Sequence, residues 1–205
     1  MGVIIGLTLV CTFAQAQPSC LDIHNYSIQS TDNSAAFEDY VRRFTARGGH
    51  LNKDVKTIPV VVHVLYESIA DSLGLDRIEG QIEALTLDFR RQNADADRTR
   101  DLFKSVAADL QVEFCLVSKD PQGSATPGIT WHYIQNIDQQ PIFDIMRQTQ
   151  WNPKRYLNIW VSPTTEGGHS SFPWEDAAET VDGFIVGTRV FGTFGDIMEG
   201  FGEGG

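Results

Sequence analysis

The sequence predicts an α/β domain: a mixed, twisted β-sheet with one long packed helix, preceded by a short helical segment. Three observations carry that prediction. A continuous β-branched run, Thr-Ile-Pro-Val-Val-Val-His-Val-Leu-Tyr at 57–66, has the composition of a strand covered on both faces. The apolar period then turns helical, with Ile78, Ile82, Leu85 and Phe89 on one stripe and Glu79, Glu83, Arg90 and Arg91 off it. Beyond it, short apolar runs alternate with turn signals in the order β-α-β-β-α-β-β.

The chain has 205 residues, of which 41% are hydrophobic and 21% charged. That is enough for one domain with its own core, and it excludes a mostly disordered chain or a disulfide-dense miniprotein. The formal net charge of −11 argues against a nucleic-acid binder, since phosphate affinity rests on clustered Lys and Arg. The pairs Arg42-Arg43 and Arg90-Arg91 lie on helical patterns with acidic neighbours and read as solvated faces.

Residues 3–14 form a nearly unbroken apolar run too short to span a bilayer, followed by the small-x-small triplet Ala14-Gln15-Ala16. Residues 1–16 therefore read as a secretory signal peptide, the alternative being a buried N-terminal strand. No other stretch has the length and apolarity of a transmembrane helix. Cleavage would remove Cys11 and leave Cys20 and Cys115. Two cysteines in an oxidising compartment can form one disulfide, and these two are expected to be linked or close.

Residues 17–33 are polar and aperiodic. Ser34 opens a helical pattern through Phe37, Tyr40, Val41 and Phe44, which Gly48-Gly49 stops. After the first strand the long helix is expected over 76–93, ended by the segment from Asn93 to Asp97. Strands follow at 110–117, before the turn Asp120-Pro-Gln-Gly123, and at 129–134. A short helix fits within 141–151, strands fit 156–161 and 183–190, and a short edge strand fits 170–172. Residues 192–205 are rich in glycine and read as a chain stopping within a loop.

Catalytic patterns are absent from the sequence. No two of His24, His50, His63, His132 and His169 are four apart, so no helical H-x-x-x-H pair is available to a metal. There is no G-x-S-x-G elbow and no Walker loop, and the Gly200-x-Gly202-x-Gly204 run follows no strand. Cys115 sits in an apolar run without an evident base, which favours a structural or disulfide role over a nucleophile. His63, between Val62 and Val64, fits a hydrogen-bonded core histidine better than a ligand. His169, in Gly-Gly-His-Ser-Ser-Phe-Pro-Trp, is either a loop histidine or one facing a groove. Asp95 and Asp97 beside Asn93 echo a calcium loop but lack its Gly and Glu, so they read as a solvated helix end.

Several segments, taken in order, resemble one family. They are Ile-Pro-Val-Val-Val-His-Val-Leu-Tyr from Ile58, the segment from Ile78 to Asn93, the segment from Phe103 to Asp109, Val-Glu-Phe-Cys-Leu from Val112, and Gly128-Ile-Thr130. After these come Lys-Arg-Tyr-Leu-Asn-Ile-Trp-Val from Lys154, Ser171-Phe-Pro-Trp174, Asp-Gly-Phe-Ile-Val-Gly from Asp182, and Phe191-Gly192. Together they are similar to the pappalysin/cytophagalysin family of secreted metzincin zinc endopeptidases. The resemblance implies a metzincin-like upper subdomain at 57–205, a leader or prosegment at 17–56, and a peptide or protein substrate. It also implies zinc, and allows calcium without assigning ligands to it. The family's H-E-x-x-H-x-x-G-x-x-H helix would follow the Phe191-Gly192 loop, and this sequence stops at Gly205 before it. The chain thus reads as an N-terminal fragment of a zinc-dependent metalloendopeptidase, with no catalytic or metal-ligating residue assigned. In metzincins an edge strand binds the substrate backbone, and the matching residues here are Gly168, His169, Ser170, Ser171 and Phe172. A non-catalytic secreted binding module using the same sheet edge is the alternative.

Overall fold

The computed structural model describes residues 34–46, 54–170 and 181–193. The expected signal peptide, Cys20, Ser171 and Phe172 lie outside the described residues. Helix α1 (Ser34–Ala46) begins where the sequence places it, with Tyr40 and Phe44 stacked one turn apart. It precedes β1 (Lys56–Tyr66), whose residues Val60 to Leu65 are all buried, as its β-branched composition requires.

Helix α2 (Leu75–Phe89) follows, then a four-residue helix α3 (Asp101–Lys104), β2 (Val112–Leu116) and β3 (Ile129–Tyr133). Helix α4 (Ile142–Thr149), β4 (Leu157–Ser162), β5 (Gly168–Ser170) and β6 (Phe184–Gly187) complete the order. The sheet runs β2-β1-β4-β6-β5, with β3 also paired to β1. All pairings are parallel except β5 on β6, which is antiparallel. Strand β2 pairs with the first half of β1 and β3 with the second half, on the side away from β4.

The two faces of the sheet are different cores. Val60, Val62 and Val64 of β1, with Ile159 and Val161 of β4, pack on Ile78 and Ile82 of α2. Leu85 and Phe89, the rest of the predicted stripe, are partly buried against the same cluster. On the opposite face Leu65, Trp160 and Ile185 pack on Ile145 and Met146 of α4. Arg77 ties α2 to the chain beyond β6, donating from Nε to the Phe191 carbonyl at 2.8 Å and from its terminal nitrogen to the Thr188 carbonyl.

Several expected boundaries move, each for a local reason. Helix α2 ends at Phe89, not Asn93, because Arg91 adopts a left-handed conformation (φ 51°). Gln92 N–H then donates to the Leu87 carbonyl at 2.7 Å and Arg91 N–H to the Asp88 carbonyl at 3.0 Å, a Schellman closure. Strand β2 starts at Val112 instead of Leu110, because Gln111 is also left-handed (φ 57°) and Leu110 N–H bonds to the Phe89 carbonyl. Strand β6 stops at Gly187; Thr188 to Val190 form a 3-10 turn whose first carbonyl Arg77 binds. Strand β6 is an interior strand, paired with β4 on one side and β5 on the other.

Candidate functional site

Strand β5 is the last strand of the sheet, and its three residues are all exposed. Its start is fixed by a close approach. Gly187 lies so near the preceding loop that a Cβ there would stand 2.1 Å from the Thr165 carbonyl oxygen. Gly187 N–H donates to the Gly167 carbonyl at 2.7 Å. In an antiparallel ladder, hydrogen-bonded and non-bonded pairs alternate. Gly167 opposite Gly187 is a bonded pair, so His169 opposite Ile185 is one too. His169 therefore spends its backbone groups on β6, while the N–H and C=O of Gly168 and Ser170 point to the free edge. Among the described residues no further strand pairs with that edge.

The sheet face above β5 is set by α4. Ile145 and Met146 are buried against Trp160 and Ile185, and Trp160 Nε1–H donates to the Thr149 hydroxyl at 2.9 Å. Gln150 Oε1 accepts the Asp182 N–H at 3.0 Å, joining the end of α4 to the start of β6. Burial raises the Asp182 carboxyl above its ordinary pKa. These contacts leave Phe143 at the outer end of α4, where its ring meets the His169 ring edge-on at 5.5 Å.

His63 is fully buried on this face, between β3 and β4. Its proton is placed by Asn158, whose amide is oriented by the Trp151 backbone: Oδ1 accepts Trp151 N–H at 2.8 Å and Nδ2 donates to the Trp151 carbonyl at 3.0 Å. His63 Nε2–H therefore donates to Asn158 Oδ1 at 3.0 Å. The Thr130 hydroxyl donates to His63 Nδ1 at 2.7 Å and accepts His132 Nε2–H at 2.8 Å. Burial pushes the His63 pKa down to about 4, the Asn158 hydrogen bond opposes this, and His132 lowers it further. Burial also lowers the pKa of His132. His63 is thus the hydrogen-bonded core histidine expected, and its partners Thr130 and Asn158 are residues the sequence did not single out.

These residues do not fit a zinc site. Both ring nitrogens of His63 are engaged, and among the described residues no three His, Cys, Asp or Glu side chains converge as a metal would need. Asp95 accepts from the Asn93 side chain at 2.7 Å, and neither it nor Asp97 belongs to a convergent metal-binding group. A cleft of about 550 Å³ at the end of α2 is lined by Asp88, Arg91, Asp95, Arg98 and Phe103 among others, with none from β4, β5 or β6. Cys115 is nearly buried in β2 and disulfide-bonded, with its partner outside the described residues.

Neither a family model nor a curated protein matches the sequence. Solved structures do. Mature mirolysin from Tannerella forsythia, in complex with a cleaved peptide, matches with a TM-score of 0.67 and 33% identity over 74% of this chain and 59% of its own. Promirolysin from the same organism, as a point mutant, matches with a TM-score of 0.72 and 30% identity over 83% of this chain and 58% of its own. Mirolysin in complex with a compound gives a TM-score of 0.68 and 34% identity over 74% and 59%. The chain thus spans just under three-fifths of the mirolysin structures it matches. Over that span, the described residues have the metzincin-like metallopeptidase fold of mirolysin.

Proposed function

We propose that this chain is the substrate-binding part of a secreted, zinc-dependent metalloendopeptidase of the pappalysin type. The observation that carries the reading is the free edge of β5, where Gly168 and Ser170 offer outward N–H and C=O groups to an extended peptide. The likeness to mirolysin supports it, one of the matched structures being a complex with a cleaved peptide. Ser171 and Phe172 extend the same binding segment in this reading. A peptide lying antiparallel on β5 makes one bonded residue pair with Gly168 and another with Ser170. Its main chain is held extended irrespective of side chains, which gives affinity, while the choice of register falls to its side chains. The reading assigns zinc to no residue of this chain, and the chain's own contribution is to bind and orient.

Residues 1–16 are a signal peptide in this reading, and 17–56 a prosegment that includes α1. The share of this chain matched rises from 74% with mature mirolysin to 83% with promirolysin, which supports a pro-region ahead of β1. Cys20 is the proposed partner of the bonded Cys115, which would tie the prosegment to β2.

Backbone N-methylation of a bound peptide tests the reading. An extended peptide should bind the chain, and methylation at alternate residues should abolish binding while methylation between them is tolerated. Binding insensitive to every methylation would contradict strand addition.

A further inference from the structure

We propose that Phe143 and His169 form a side-chain subsite that selects an aromatic residue in the bound peptide. The inference rests on the strand-addition reading and adds the chemistry of one subsite to it. His169 is the β5 residue whose backbone is turned inward to β6, so a peptide residue opposite it sits in a non-hydrogen-bonded pair. Such pairs bring the facing side chains closest, with Cα atoms about 4.5 Å apart. The side chain of that residue lies on the same sheet face as the His169 ring, which is the face covered by α4.

What it meets there is aromatic. The Phe143 ring stands edge-on to His169 at 5.5 Å and remains 47% exposed, although it flanks a well-packed core. Its position is set by the burial of Ile145 and Met146 and by the Trp160–Thr149 hydrogen bond, so the ring is presented by a fixed helix rather than a loose loop. A third ring placed opposite His169 can pack on both and bury the exposed part of Phe143. Peptide residues opposite Gly168 and Ser170 point to the other face and do not reach this pair.

The test uses the 205-residue chain and a fluorescent extended peptide in which a single Phe or Ala occupies each position in turn. N-methylation marks the register, since the residue opposite His169 tolerates methylation and is flanked by two that do not. At that position Phe should bind about five-fold tighter than Ala, and Phe143→Ala should reduce the difference to less than about two-fold. Phe143 is exposed, so the variant should stay folded, which its melting curve checks. A Phe preference that survives in Phe143→Ala, or that falls on the flanking positions, overturns the subsite while leaving strand addition standing. Absence of binding by any peptide overturns both.

Discussion

His63 shows how a polar side chain can occupy a strand core at little cost when every polar atom is met. Burial favours its neutral form, in which Nε2–H donates to Asn158 Oδ1 and Nδ1 accepts from the Thr130 hydroxyl. Folding lowers its pKa from 6.5 to about 4, so the unfolded chain binds the extra proton more readily. The contribution of neutral His63 is therefore complete above about pH 6.5 and is lost as the pH falls towards 4, amounting to on the order of 3 kcal/mol at the acid end. The melting temperature should drop across that window. His63→Gln, which can still donate to Asn158 and accept from Thr130, should flatten the drop, and an unchanged slope in the variant would place the titration elsewhere. The burial of His63 was legible in the sequence from Val62 and Val64 beside it. Its partners were not, since Thr130 and Asn158 come from strands 67 and 95 residues away.

At the scale of elements, periodicity located the helices and strands and missed their ends. The stripe Ile78, Ile82, Leu85, Phe89 gave both the helix and its buried face, and Ile82→Ala should cost about 3 kcal/mol in chemical denaturation. A loss below about 1 kcal/mol would mean that this stripe is not the core face. The helix stop at Phe89 depends on a left-handed Arg91, a conformation no pattern of side chains announces. The edge strand begins at Gly168, two residues before the expected 170–172, where Gly187 closely approaches Thr165; Ser171 and Phe172 of the expected strand lie outside the described residues. Gly187→Ala would place a Cβ against that carbonyl oxygen and should destabilise the fold by about 2 kcal/mol while weakening peptide binding through displacement of β5. Unchanged stability and binding in this variant would show that the loop shifts freely.

For the molecule as a whole, the acidic charge and the strand and helix order were readable from composition and spacing. The layering of α2 and α4 on opposite faces was not, since it depends on which alternate residues of β1, β4 and β6 face each helix. The proposed reading assigns zinc to no residue of this chain, and on that reading the 205-residue chain binds an extended peptide without cleaving it. Chelator-sensitive hydrolysis by this chain alone would contradict that division of labour. On the proposed reading, β5 receives a peptide as an added strand. Amide hydrogen exchange followed residue by residue, with and without a saturating extended peptide, measures it directly. Exchange at Gly168 and Ser170 should slow on binding, while His169, already bonded to β6, changes little. Unchanged exchange at Gly168 and Ser170, or new protection along β2 and β3 instead, would rule out strand addition at β5.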